Sequence, residues 1–126
     1  MPLVRISFGR NQTDDFCRRA GDCVHRAMVE TANVPPDDRF QIITKSTEHV
    51  IFDPSYLKVE RTDGVIMIQI TLNMGRTVEI KKALYRAIAD KLHEELGVRR
   101  EDVLISLVEV PKENWSFGNG EAQYAP

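Results

Sequence analysis

Val65-Ile66-Met67-Ile68-Gln69-Ile70-Thr71-Leu72, continued by Asn73-Met74-Gly75-Arg76-Thr77, is the most informative stretch of the chain. Its first eight residues are almost continuously apolar and of strand length. That predicts a β-strand with both faces covered, as in a parallel pairing beneath helices. Gly75-Arg76 turns the chain, and Thr77 is a good helix N-cap. Beyond it Ile80, Leu84, Ile88, Leu92 and Leu96 recur every four residues, with Ala83 and Ala87 beside them, which is the stripe of a helix buried on one face. Gly97 stands where a C-cap glycine belongs. Val103 to Val110 then reads as a further strand.

The same order occurs upstream. Leu3 to Phe8 alternates, with Val4, Ile6 and Phe8 to one side and Arg5 and Ser7 to the other. Gly9-Arg10 turns the chain, Asn11 is the expected cap, and Asp14-Asp15 place negative charge in the first turn of a helix. Phe16, Ala20, Cys23, Val24, Ala27 and Met28 mark its apolar face, with Gly21 costing about 1 kcal/mol relative to alanine. Pro35-Pro36 ends it, and Phe40 to Lys45 reads as a strand. Gly9-Arg10 therefore matches Gly75-Arg76 at an offset of 66, and Val34-Pro35-Pro36-Asp37-Asp38 matches Val98-Arg99-Arg100-Glu101-Asp102 at an offset of 64.

Two β-α-β repeats, about 2–45 and 65–110, are thus expected to form a single domain over 1–126, with a tail at 111–126. The class is α/β (α+β), a four-stranded mixed sheet with both helices on one face. Between the repeats, Ser46-Thr47-Glu48, Asp53-Pro54-Ser55 and Asp63-Gly64 read as turns and His49 to Phe52 as a short strand. The uncovered sheet face, judged from Val65–Leu72, is too apolar for solvent and predicts an oligomer.

With 126 residues the chain has one domain's length. Its net charge of −2, with Lys and Arg dispersed, argues against a sequence-independent nucleic-acid binder. No apolar run reaches the ~18 residues of a membrane span, and Met1-Pro2-Leu3-Val4-Arg5 lacks a signal-peptide layout. Cys17 and Cys23, six apart on a helix, point in different directions and read as reduced packing residues. A cytoplasmic protein is expected.

There is no Gly-rich phosphate loop, metal-ligand spacing or nucleophile elbow. His25, His49 and His93 are scattered and read as surface residues without a role. Pro2 carries the chemical signal. Removal of Met1 turns its nitrogen from an amide into a secondary amine, a group that titrates near 7.7–8.0 when unperturbed, on the order of other α-amino groups. Burial or a nearby cation makes such an amine a general base, a nearby carboxylate keeps it a cation, and it can attack a carbonyl to form an iminium.

Met1-Pro2-Leu3-Val4-Arg5-Ile6, the Gly-Arg-Thr before a helix and the duplicated β-α-β units together resemble the tautomerase superfamily, whose members use an amino-terminal proline. Asn114-Trp115-Ser116-Phe117-Gly118 and Pro35-Pro36-Asp37-Asp38-Arg39-Phe40-Gln41 look like its malonate semialdehyde decarboxylase subgroup. The resemblance spans Pro2 to Tyr124 and implies a tautomerase/MIF-like fold and a homotrimer with sites at subunit boundaries.

The resemblance also implies roles. The catalytic proline falls on Pro2, and the carboxylate beside its amine on Asp38. Of two arginines flanking one residue before the second helix, the second falls on Arg76, but Met74 occupies the first position. A thioether cannot hold a carboxylate bidentately as a guanidinium does, so Arg76 alone is left as the carboxylate anchor. The aromatic wall falls on Trp115, Phe117 and Tyr124, with Phe40 where the subgroup often has tyrosine. The expected activity is a carbon–carbon lyase acting on a small anionic 3-oxo carboxylate without metal or organic cofactor. A keto–enol tautomerase of phenylpyruvate-like substrates or a hydratase would use the same groups. A non-catalytic binding protein on this fold is the alternative of another class.

Overall fold

The computed structural model describes residues 2–46 and 49–126. Six main elements follow in order: β1 (Leu3–Phe8), α1 (Asp14–Thr31), β2 (Phe40–Thr44), β3 (Ile66–Asn73), α2 (Val78–Leu96) and β4 (Val103–Val110). Short 3-10 turns lie at Tyr56–Lys58, Arg100–Asp102 and Lys112–Asn114. The strands form one sheet in the order β2-β1-β3-β4. β1 runs parallel to β2, β3 parallel to β4, and the two pairs meet antiparallel through β1 and β3.

Each helix starts at a threonine that sits immediately before the first helical residue. Thr13 Oγ1 accepts from Phe16 N at 3.1 Å and Thr77 Oγ1 from Ile80 N at 3.2 Å. The cap of α1 is therefore Thr13 and not Asn11, because a cap must directly precede the turn it closes, and that turn begins with Asp14-Asp15. Gly97 ends α2 in the left-handed region at φ 68°, as a glycine does at little cost.

Both helices pack on one face of the sheet. Val4, Ile6, Phe8, Ile66, Ile68, Ile70 and Leu72 meet Ala20, Val24, Ala27 and Met28 of α1 and Leu84, Ile88 and Leu92 of α2. Arg26 of α1 binds Asp22 at 2.8 Å and Glu95 of α2 at 2.5 Å, joining the helices at their surface. Gly21 permits a close approach between α1 and β2: an added Cβ would lie 2.6 Å from Gln41 Oε1 and 2.9 Å from Ile43 Cδ1. Gln41 Nε2 donates to Gly21 O across this contact at 2.8 Å.

Three further readings of the sequence need correction. β3 is covered on one face only: Ile66, Ile68, Ile70 and Leu72 are buried, whereas Met67 and Thr71 are half-buried and Gln69 is exposed. Met67 and β-branched Thr71 made an alternating strand look continuous. The apolar residues of the open face come instead from other strands, as Phe40, Ile42, Leu104 and Val108. Residues 49–52 form no strand. His25 is not at the surface but 6% exposed, its Nε2 2.7 Å from Pro36 O. Of the turn expected at Ser46-Thr47-Glu48, the last two residues lie outside the described residues, as does Met1. Cys17 and Cys23 are buried free thiols, and burial raises the pKa of both. Among the described residues, no helix is long and apolar enough to cross a membrane.

Candidate active site

The topology brings four segments to one end of the sheet. β1 begins there, and its parallel neighbour β2 begins there too, since Leu3 pairs with Phe40. Antiparallel β3 finishes at the same end, and β4, parallel to β3, delivers the tail beyond it, with Asn73 paired to Val110. Pro2, the turn bearing Asp38, the Asn73–Arg76 loop and Trp115–Phe117 are neighbours for this reason.

Pro2 is buried and lines a cavity of about 220 Å³ with Leu3, Phe40, Trp115, Ser116 and Phe117. Phe40 is 50% exposed and faces the open side of the sheet. Trp115 and Phe117 are stacked, with ring centroids 5.5 Å apart and an interplanar angle of 15°. Tyr124 meets Phe117 edge to face at 4.8 Å. Such pairs stabilise by about 1 kcal/mol beyond their burial. Pro2, Phe40, Trp115 and Phe117 thus meet in one place, and Tyr124 backs the wall rather than lining it. A larger groove of about 590 Å³ between α2 and the β4 edge, lined by Tyr85, Arg86, Arg100 and Ile105 among others, holds none of the expected residues.

Asp38 follows the Pro36-Asp37 turn, where its backbone N–H donates to Pro35 O at 3.0 Å, and it enters the sheet two residues before Phe40. Its repeat partner Asp102 is buried and structural. Asp102 Oδ1 accepts from Thr62 N at 2.7 Å and from Arg99 at 3.3 Å, and Oδ2 accepts from Thr62 Oγ1 at 2.7 Å.

Arg76 reaches this end of the sheet but is not among the residues lining the cavity. Its Nε and Nη2 donate to Ala32 O at 3.0 and 2.8 Å, and its Nη1 to Asn73 O at 3.0 Å. Ala32 is the C-cap of α1, a helix with no basic residue in its last turn. The guanidinium therefore meets the negative end of that helix from across the fold. Among the described residues three of its five N–H donors are used, leaving two for a ligand. Met74 is exposed beside it.

Two further residues organise the site. Asn73 Oδ1 accepts from Trp115 Nε1 at 2.8 Å. Gln123 clips the tail into a loop, its Oε1 accepting from Phe117 N and its Nε2 donating to Gly118 O, both at 2.9 Å. Neither is visible in a local pattern, because each bond closes between segments apart in sequence or within an irregular tail.

Comparison with known proteins agrees with this architecture. The family described as tautomerase enzyme matches residues 38–118. The probable tautomerase YusQ of Bacillus subtilis (strain 168) is 48% identical over 124 residues, covering 98% of both chains. A crystal structure of FG41 malonate semialdehyde decarboxylase inhibited by 3-bromopropiolate superposes with a TM-score of 0.88 at 36% identity, covering 97% of this chain and 93% of that one. A fused 4-OT wild-type symmetric trimer, 23% identical with a TM-score of 0.77 and covering 98% of each chain, shares the fold. A duplicated β-α-β sheet, an aromatic cavity at the second residue and these relatives converge: the chain belongs to the tautomerase superfamily.

Proposed function

We propose that the chain, once Met1 is removed, is a cofactor-independent lyase that decarboxylates a small 3-oxo carboxylate such as malonate semialdehyde. The observation carrying this reading is the 220 Å³ cavity that sets Pro2 against Phe40, Trp115 and Phe117. The likeness to the FG41 decarboxylase supports the substrate class. Pro2, Asp38 and Arg76 are the catalytic groups, and Trp115, Phe117 and Phe40 enclose the substrate, with Tyr124 supporting Phe117 from behind. Asp38 keeps the proline amine cationic. The two free donors of Arg76 anchor the carboxylate.

Two routes use these groups. In one, the Pro2 ammonium first passes its proton to Asp38, and the freed nitrogen lone pair condenses with the aldehyde, releasing water and leaving an iminium. The bond to the carboxylate then breaks, its electron pair forms the enamine and CO₂ departs. Carbon is reprotonated and water hydrolyses the iminium, restoring Pro2. In the other, protonated Pro2 hydrogen-bonds the aldehyde oxygen and stabilises the enolate that forms as CO₂ leaves. The aromatic wall excludes water from the departing carboxylate in both.

One observation favours a second reading, a keto–enol tautomerase. Met74 provides no guanidinium, and three donors of Arg76 are committed to backbone carbonyls, so a neutral Pro2 acting as base would carry more of the work. YusQ is itself named a probable tautomerase. We also place the protein in a homotrimer, supported by the trimeric 4-OT structure and by Phe40, Ile42, Leu104 and Val108 on the open sheet face.

Met-trimmed protein, verified by intact mass, is incubated with malonate semialdehyde and with phenylpyruvate. Acetaldehyde release that disappears in Pro2→Ala is the expected result. Pro2→Ala as active as the parent protein overturns the assignment. A rate that rises with pH through the amine's titration identifies the neutral amine, as base or nucleophile, and one that falls identifies the cation as the working form.

A further inference from the structure

We infer that Asn73 is the positioning residue of this site, holding the Trp115 wall over Pro2 and tying it to Arg76. The inference rests on the functional reading above for its effect on rate, but its geometry stands independently. Asn73 is the last residue of β3. Alternation along that strand turns Ile66, Ile68, Ile70 and Leu72 toward the helices, so Asn73 shares the open face with Met67, Gln69 and Thr71. Beyond β4 the tail brings Trp115 and Phe117 into one cavity with Leu3 and Phe40 of the neighbouring strands. An indole N–H is a donor only and needs an acceptor when its ring is packed against apolar groups. Asn73 Oδ1 is that acceptor at 2.8 Å, and it joins residues 42 apart in sequence. The other indole contacts are less directional, a stack on Phe117 at 5.5 Å and the cavity shared with Pro2 and Phe40. Without the hydrogen bond, the stacked pair can slide in its own plane at little cost.

The same residue's carbonyl accepts from Arg76 Nη1 at 3.0 Å. One strand terminus therefore fixes the aromatic wall through its side chain and the guanidinium through its backbone. The wall and the carboxylate anchor are set in register by Asn73, although the residue is not among those lining the cavity.

The test uses the fact that Trp115 is the sole tryptophan. Its indole N–H gives one side-chain signal in a nitrogen-15 correlation spectrum. Asn73→Leu, similar in size but without an acceptor, is expected to move that signal upfield and speed its hydrogen exchange at least tenfold. It is also expected to lower kcat/KM for malonate semialdehyde at least tenfold, mainly through kcat, because the wall acts on the departing carboxylate. Asn73→Asp keeps an acceptor in place and is expected to hold the indole signal near its parent position and to exceed Asn73→Leu in kcat at least threefold. Thermal midpoints are measured for both variants, and the rates compared well below them.

An indole signal unchanged in Asn73→Leu overturns the inference. So does a displaced signal with kcat within twofold of the parent, or an Asn73→Asp variant no better than Asn73→Leu on both readouts. If the parent protein turns over neither malonate semialdehyde nor phenylpyruvate, the functional reading fails, and the indole comparison still decides whether Asn73 holds the wall.

Discussion

Arg76 is assigned to substrate, yet its guanidinium is also part of the fold, and replacing it tests both. Arg76→Ala removes three charge-assisted hydrogen bonds to two carbonyls, Ala32 O and Asn73 O. The arginine is half-buried, so both carbonyls regain some water on its loss, and a net figure of about 1 kcal/mol for each carbonyl is appropriate. Withdrawing the cation at the C-terminal end of α1, which has none in its own last turn, adds about 0.5 kcal/mol. The total is about 2–3 kcal/mol, or roughly 10 °C in thermal midpoint for a domain of this size. Arg76→Lys retains the charge and one bond, and is expected to recover about half of that shift. It is expected to leave kcat/KM at least tenfold down, because an ammonium lacks the planar fork with which a guanidinium grips backbone carbonyls on one edge and a carboxylate on the other. The assay is thermal denaturation followed by circular dichroism at fixed protein concentration, paired with steady-state rates measured well below each midpoint. A midpoint for Arg76→Ala within about 2 °C of the parent would show that the backbone grip contributes nothing. If Arg76→Lys recovered activity and stability in parallel, the carboxylate role would lose its separate support.

Other consequences follow from the packing. Gly21→Ala, favourable by helix propensity by about 1 kcal/mol, is expected to destabilise by about 1–2 kcal/mol overall because its Cβ meets Gln41 and Ile43; denaturant unfolding measures the sign. His25→Leu leaves Pro36 O without its 2.7 Å partner and is expected to cost about 1–3 kcal/mol, with kcat lowered because the turn it holds carries Asp38; His25→Gln should be milder in both measurements. Arg26 holds the Glu95 carboxyl below its ordinary value of 4.5. A depressed carboxyl stabilises the fold above its unfolded pKa and loses that contribution as pH falls through the folded one. The midpoints of the parent and Arg26→Met are therefore expected to differ near neutrality and converge as pH is lowered below about 4. Gln123→Leu opens the clip on Phe117 and Gly118, and faster cleavage of the tail in limited proteolysis is expected.

The fold was readable because its signals are local and occur twice. Thr77, the four-residue stripe from Ile80 to Leu96 and Gly97 define α2 without knowledge of anything else in the chain, and the Gly-Arg repeat places a similar unit upstream. The cap at Thr13 was also within reach, since Asp14-Asp15 can occupy a first turn only if the cap directly precedes them. His25 was misread from its charged neighbours in sequence. Its neighbours on the helix surface are Gly21 and Met28, spaced four and three away and both buried, and that spacing assigns it to the packed side. In the site, the aromatic tail and Pro2 could be named from the sequence, but what holds them could not. Asn73 meets Trp115 only because β3 ends where β4 releases the tail, and Arg76 finds Ala32 only because α1 ends beside the start of α2. Both depend on strand order and register, which a spacing of residue types does not contain.

The antiparallel meeting of β1 and β3 gives the sheet two ends of similar construction, and chain continuity makes them chemically unequal. Val65 precedes β3 as Pro2 precedes β1, and Asp102 and Arg10, the repeat counterparts of Asp38 and Arg76, stand against the adjoining Gly64. The nitrogen of Val65 is a peptide amide that donates to Thr62 O at 3.1 Å. Even a proline at that position would be acylated, with no lone pair available for a proton or a carbonyl carbon. Only a chain start can expose such an amine, so joining two units end to end silences one of two equivalent places by covalent structure alone. The silent end is then released to serve stability, as Asp102 does in binding Thr62. If Met1 is removed as proposed, circular permutation that opens the chain just before residue 65, with proline placed there after an equally removable Met, would exchange which end of the sheet carries a free amine.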